Sequence, residues 1–223
     1  MARLKVGVLV SGFGSNLQAL IDLCAAPDFP AEIVTVVSNK PDVVALERAA
    51  RAGIRTHVVP HRNFPDRSSF DQAIDAVLRA EGVELICLGG FMRILTPSFV
   101  ELWRDAIVNI HPSLLPAFRG LDTHRRALEA GVRFHGCTVH FVRSDLDDGP
   151  ILVQAVVPVL SSDDEQSLAA RVLEAEHRAY PLALRLIAER RVTIDGNRVV
   201  IAGDVGTLPQ ALLNPPDLPS ASA

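Results

Sequence analysis

Only three cysteines occur in the 223 residues, Cys24, Cys87 and Cys137, and no two form a Cys-x-x-Cys pair. No disulfide framework or zinc ribbon can be read from them, and buried reduced thiols are the expectation. The seven histidines never fall into a His-Glu-x-x-His or similar spacing, so no metal site is expected. Basic charge is also scarce. Lysine and arginine number 22 against 26 acidic residues, a formal net charge of −4. Without a broad basic field the chain is a poor partner for nucleic acid or an anionic membrane, although a few local donors suffice for a small anion. No apolar run approaches membrane-spanning length. The start, Met1-Ala2-Arg3-Leu4-Lys5, leads straight into a strand pattern and lacks a signal-peptide cleavage pattern, so a cytoplasmic location is expected. No internal repeat is found.

What is present is the balance of a globular protein with a sizeable core: 48% hydrophobic and 22% charged residues. The length suits one large domain, with or without a small appendage. Apolar, β-branched runs at residues 5–10, 31–37, 55–59 and 84–88 read as buried strands. Between them, helical spacing from Leu17 to Cys24, from Val43 to Ala52 and from Arg67 to Glu81 supplies the crossovers. The alternation predicts parallel βαβ units with right-handed connections.

The second half changes character. A short helix spans Asp122 to Ala130. Two long strand patterns, Phe134–Arg143 and Ile151–Val159, have only a loop between them and can pair antiparallel. A long amphipathic helix fills Asp163–Glu189, with Leu168, Val172, Ala175, Ala179, Leu182 and Leu186 as its inner stripe, and Pro181 is expected to kink or break it. A hairpin pattern surrounds Asp195-Gly196. The fold class expected is α/β: a doubly wound, mainly parallel, mixed sheet with a Rossmann-like N-terminal half. Residues 1–201 form one domain, divided into halves 1–105 and 106–201. Residues 202–223 form a tail with a mobile end.

Two stretches carry candidate chemistry. In Asn109-Ile110-His111-Pro112-Ser113-Leu114-Leu115-Pro116, an amide and an imidazole stand two residues apart after the apolar run Ala106-Ile107-Val108. Strand side chains alternate with period two, so both point to one side. The carboxyl ends of strands are where open α/β sheets place their sites. Taken alone, the pair also suits a bland role in satisfying loop backbone groups. The second stretch, Asp145-Leu146-Asp147-Asp148-Gly149-Pro150, offers three carboxylates before another strand. A carboxylate beside an imidazole favours its charged form, which suits a general acid or base.

Ser11-Gly12-Phe13-Gly14-Ser15-Asn16 is a glycine-bearing turn that opens a helix. It lacks the third glycine of a dinucleotide fingerprint, and Ser38-Asn39-Lys40 after the second strand lacks the acid that would grip a ribose diol. NAD is therefore not expected. The turn remains suited to a monophosphate, because backbone N–H groups and the helix dipole favour an anion. The alternative is that Ser15 merely caps the helix.

Several stretches together resemble the phosphoribosylglycinamide formyltransferases, the folate-dependent transformylases of purine synthesis. They are Val10 to Ala19, Gly90-Phe91-Met92-Arg93-Ile94-Leu95, Asn109 to Pro116, His135 to Val142, Leu146-Asp147-Asp148-Gly149-Pro150 and Glu176-His177. The resemblance implies the formyltransferase fold and direct transfer of a formyl group from 10-formyltetrahydrofolate to the amine of glycinamide ribonucleotide. It implies Asn109, His111 and Asp147 as the catalytic trio. It places the substrate phosphate at Gly14, Ser15 and Asn16, with Glu176 on the ribose or amine side. It places the folate against Arg67, Met92, Arg93, Ile94, Leu95 and Asn109. The folate is a cosubstrate, and no tightly bound cofactor is implied. Read without the likeness, Met92 to Leu95 is ordinary core packing and Arg67 a solvated charge. His140 is either a buried structural histidine or a support for the catalytic loop. The segment Ala117-Phe118-Arg119-Gly120-Leu121-Asp122-Thr123-His124 departs from the Pro-Gly-Leu-x-Thr-His form common in the family, and that bears on the choice of amine acceptor.

The nearest rival is 10-formyltetrahydrofolate hydrolase, which needs no phosphate turn and often carries a domain before the core. Methionyl-tRNA formyltransferase usually carries a further C-terminal domain, and a chain this poor in basic charge does not suit tRNA. A non-catalytic folate or nucleotide binder has no use for the trio. The expected partners are the two small molecules, with the chain a monomer or homodimer.

Overall fold

The computed structural model describes residues 2–203, 206 and 212–214. Its frame is a seven-stranded sheet in the order β3-β2-β1-β4-β5-β6-β7. Four parallel strands come from the first half: β1 (Leu4–Val10), β2 (Ala31–Ser38), β3 (Arg55–Val58) and β4 (Leu85–Leu88). The fifth, β5 (Ile107–His111), pairs parallel with β4. Then direction reverses: β6 (Phe134–Phe141) runs antiparallel to β5, and β7 (Ile151–Pro158) antiparallel to β6. The expected mixed, doubly wound α/β sheet is what forms. A small hairpin, β8 (Val192–Asp195) with β9 (Arg198–Ile201), stands apart as its own two-stranded sheet.

Helices cover both faces. α1 (Ser15–Cys24), α2 (Val44–Arg51), α5 (Thr123–Glu129) and α6 (Glu165–Ala188) supply residues to one apolar cluster, with Val6, Val8, Val10, Val108 and Ile110 from the sheet. α3 (Arg67–Ala80) and α4 (Pro97–Leu102) serve the other, with Leu9, Ile86 and Ile107. Right-handed crossovers explain the split. The chain moves one way from β1 through β3 and the other way from β3 to β5, so its helices fall on opposite faces. The crevice this leaves lies beyond the carboxyl ends of β1 and β4, the switch point where open sheets bind ligands.

Two expectations about α6 are corrected. The helix runs unbroken through Pro181. Neighbours Ala179, Tyr180, Ala183 and Leu184 are buried and hold the turn in place. Leu182, expected inside, is 47% exposed, and Ala183 is buried instead. The two positions straddle one inner face, and Tyr180 sets its direction by anchoring its hydroxyl to the carbonyls of Leu88 and Val108, both at 3.1 Å. α4 has no counterpart among the expected elements. Thr96 caps it by accepting the Phe99 N–H, and Pro97 opens it. The expected mobility at the tail's end lies outside the described residues. Within them, Asn214 Nδ2 donates to the carbonyls of Arg133 and Val159, the latter at 3.0 Å.

Candidate active site

Asn109 and His111 both lie on β5 and point the same way, as period two requires. His111 is 5% exposed. Its Nδ1 lies 3.4 Å from Asp147 Oδ2, and its Nε2 lies 3.0 Å from the Phe118 carbonyl. The structure thus brings His111 and Asp147 together from positions 36 residues apart in sequence, 147 less 111. Both neighbours are acceptors, so an imidazole carrying a hydrogen on each nitrogen meets both.

The antiparallel neighbour supplies the support. In register, Asn109 faces His140 and His111 faces Thr138. His140 Nδ1 lies 3.0 Å from the Phe141 carbonyl, which fixes its hydrogen there. Its bare Nε2 then accepts from Asn109 Nδ2 at 3.3 Å. Burial holds His140 below the ordinary imidazole pKa, in keeping with a neutral ring. Thr138 Oγ1 donates to the Ser113 carbonyl at 2.7 Å and accepts from Leu115 N at 3.0 Å, so it ties down the loop that leaves His111.

The loop bearing Asp147 is built for one shape. Asp147 takes a left-handed φ of 48°. A Cβ on Gly149 would lie 2.1 Å from the Phe141 carbonyl oxygen, so only glycine fits there. The segment that departs from the family pattern closes on this loop. Arg119 Nη2 donates to Asp148 Oδ1 at 2.6 Å, and Gly120 N donates to Asp147 Oδ2 at 2.8 Å. Sequence reasoning missed these contacts. Gly120 N and the Phe118 carbonyl are backbone groups, with no side-chain pattern to betray them.

At the switch point a cleft of ≈ 220 Å³ is lined by Ser11, Gly12, Phe13, Gly14, Ser15, Asn16, Gly89, Gly90 and Met92. Gly14, not Ser15, is the N-cap of α1, with φ 73°, and the cap has no side-chain hydrogen bond. The alternative role for Ser15 as the cap therefore fails. A Cβ on Gly14 would sit 2.6 Å from Ala45 Cβ, so the close approach of α2 also demands glycine. The first N–H groups of α1 have no partner within the helix and face outward. Asn16 Nδ2 donates to Glu176 Oε2 at 2.7 Å, while its Oδ1 is buried without a partner. Burial pushes the Glu176 carboxyl up to about 7, and the Asn16 bond offsets only part of that.

Met92 and Ile94 are 66% and 55% exposed, which removes core packing as their role, whereas Leu95 is 7% exposed and packs inside. Arg93 keeps a buried, unpartnered Nε. Arg67 is exposed at the first turn of α3 and does not line the cleft. A wider cleft of ≈ 610 Å³ opens at the opposite, amino-terminal ends of β1, β2 and β3, beside Arg3, Cys24, Glu32, Arg55 and Glu81. It holds none of the expected residues, and Arg3 and Glu81 are already committed to other partners. Among the described residues no group of three or more His, Cys, Asp or Glu could hold a metal ion, and no helix is long and apolar enough to cross a membrane.

Comparison with known proteins places the chain in one family. The formyl transferase family model matches residues 4–184. A phosphoribosylglycinamide formyltransferase of Haemophilus influenzae is 44% identical, over 89% of this chain and 94% of that protein. A trifunctional purine biosynthetic protein, adenosine-3, of Gallus gallus is 53% identical over 86% of this chain, which spans only 19% of that longer protein. Among solved structures, glycinamide ribonucleotide transformylase 1 of Symbiobacterium toebii superposes with a TM-score of 0.88 at 47% identity, covering 90% of this chain and 95% of that one.

Proposed function

The chain belongs to the formyl transferase family, within its phosphoribosylglycinamide formyltransferase group, and from that premise we propose that it moves a formyl group from 10-formyltetrahydrofolate to the amine of glycinamide ribonucleotide in purine synthesis. The observation that carries the reading is the meeting of His111 Nδ1 and Asp147 Oδ2 at 3.4 Å beside Asn109 on the same strand face.

In this proposal the acceptor's amine nitrogen attacks the formyl carbon. A tetrahedral species forms, with negative charge on the former carbonyl oxygen. One Asn109 amide hydrogen is spent on His140, and the other is available to that oxygen. The His111 Nε2–H, which meets the Phe118 carbonyl, is the second donor once the incoming formyl oxygen replaces that partner. Each well-placed donor contributes on the order of 3 kcal/mol to the barrier's reduction. Collapse breaks the bond from carbon to N10 of the folate. N10 takes a proton and the attacking amine gives one up, with His111 as the shuttle and Asp147 holding its ring and charge. His140 acts through Asn109, as a positioning residue.

Gly14, Ser15 and Asn16 take the acceptor's phosphate at the start of α1, and Glu176 takes its ribose or amine side. The segment Met92–Leu95 takes the pterin through its backbone, with Arg67 reaching the folate's carboxylate tail. A formyl-transfer assay offering glycinamide ribonucleotide, water and charged tRNA as acceptors tests the reading. Formylated ribonucleotide is expected, and release of formate without it would establish the hydrolase instead.

A further inference from the structure

Ser11 lines the switch-point cleft and Asn39 backs it, and formyl transfer uses neither side chain. Ser11 directly follows β1 and is 4% exposed, and Asn39 directly follows β2 and is 2% exposed. Ser11 Oγ lies 2.6 Å from Asn39 Oδ1, which only accepts, so the hydroxyl hydrogen points at Asn39. The same oxygen accepts the Met92 N–H at 2.8 Å. Asn39 Nδ2 is in turn 3.1 Å from His61 Nδ1. This line of groups crosses the carboxyl ends of β1, β2 and β4, where strand-to-strand hydrogen bonding stops and the chain departs to opposite faces.

The position of Ser11 is what gives it consequence. The glycine turn begins at the next residue, and the segment Phe91–Thr96 is tied to Ser11 through Met92. That segment has a second tie at its far end, where Asp71 Oδ2 accepts from both Thr96 N and Thr96 Oγ1 at 2.7 Å. Phe91 stacks on Phe70 and Leu95 packs inside, while Met92 and Ile94 are exposed. The Ser11 bond is what ties the backbone at Met92 to the start of the turn. The hydroxyl serves both partners at once, its hydrogen on Asn39 and its oxygen accepting the Met92 N–H, so Asn39 fixes the lone pair that Met92 meets.

We propose that Ser11, set by Asn39, is a positioning residue that fixes the spacing between the glycine turn and the Met92 segment, so that filling one side tightens binding at the other. The proposal rests on the reading that the turn takes the acceptor's phosphate and the segment takes the folate.

Titration calorimetry with glycinamide ribonucleotide and with tetrahydrofolate, each alone and in the presence of the other, tests it. The wild-type chain is expected to bind each ligand more tightly when the other is present. Ser11→Ala is expected to weaken both ligands about tenfold, equivalent to about 1.4 kcal/mol each, and to abolish the mutual enhancement. Its kcat at saturation should stay within about threefold, since no reacting group has changed. Asp71→Asn should weaken tetrahydrofolate alone. Independent binding in the wild type, or a Ser11→Ala effect on one ligand or neither, overturns the proposal. If Ser11→Ala does not fold, Asn39→Ala is judged by the same criteria, because it removes the anchor and leaves the hydroxyl. The combined Ser15→Ala and Asn16→Ala variant is the control: unchanged ribonucleotide affinity there overturns the phosphate reading rather than the spacing role.

Discussion

His111 lies between a carboxylate and a carbonyl, and only the ring with hydrogens on both nitrogens serves each of them. Removing the ring or neutralising its partner should therefore strike turnover and spare binding. His111→Ala and Asp147→Asn are each expected to lower kcat by roughly 10²–10⁴ with tetrahydrofolate affinity nearly unchanged, measured by steady-state kinetics beside calorimetry. Near-normal kcat in either would take that residue out of the chemistry. Glu176 makes a different prediction. Its carboxyl titrates at about 7 in the folded chain, raised by burial. Between pH about 4.5 and 7 the folded state holds the proton more firmly than the unfolded state, so stability falls as pH rises through that window and levels off above it. Glu176→Gln keeps an oxygen for Asn16 and removes the titration. Its unfolding free energy should exceed the parent's at pH 8, by on the order of 2–3 kcal/mol, and lie close to the parent's at pH 4.5, read from urea titrations at each pH. An equal difference at both pH values would show that the carboxyl's charge is not the cause. At this scale the sequence displays Asn109 and His111 plainly, because period two on a strand needs no partner to be read. It hides Ser11, whose meaning depends on Asn39 and Met92 arriving from two other strands.

The elements show where local signals suffice and where they are overruled. Most strand and helix bounds expected from periodicity lie within one or two residues of the observed ones, because long apolar patterns fix an element's face and so its extent. α4 is not legible from periodicity because six residues are too few to display a period, even though Thr96-Pro97 carries a helix-start signal. Pro181 is the opposite case, a strong local breaker overruled by packing on both sides. A proline inside a helix removes one backbone bond and costs about 3 kcal/mol in an isolated helix, so Pro181→Ala should raise the unfolding free energy by roughly 1–3 kcal/mol in urea titrations. A lowered value would mean that the helix has adapted its shape to the ring. In the Asp147 loop, Gly149→Ala sets a Cβ against the Phe141 carbonyl. The loop must then shift, and kcat should fall by at least about tenfold while the far-UV circular dichroism of the sheet and helices persists.

Across the whole molecule, the proposed site draws on residues 14–16, 109–111, 147 and 176, so distant parts of the chain meet at one edge of one sheet. Composition and alternation make that sheet legible, since strands spaced by helices have few ways to pack. Which side chains converge at its edge is not legible from pattern alone, because convergence depends on strand order. If the edge is the binding site, each ligand at about one hundred times its dissociation constant should stabilise the fold by about 2.7 kcal/mol, read as a rise in melting temperature. A ligand that leaves the melt unchanged at that concentration does not bind the native chain. The reversal of direction between β5 and β6 carries one more consequence. Opposite partners in an antiparallel ladder exchange faces with every single-residue slip, so misplacing β6 by one position would set Val139 or Phe141 across from Asn109 in place of His140. The slipped sheet would keep its hydrogen-bonded ladder and its helical cover while its amide lost the imidazole that aims it. On the proposed mechanism, alignment of a single strand pair separates a catalyst from an inert lookalike, and lesions that loosen β6 should silence the chain before they unfold it.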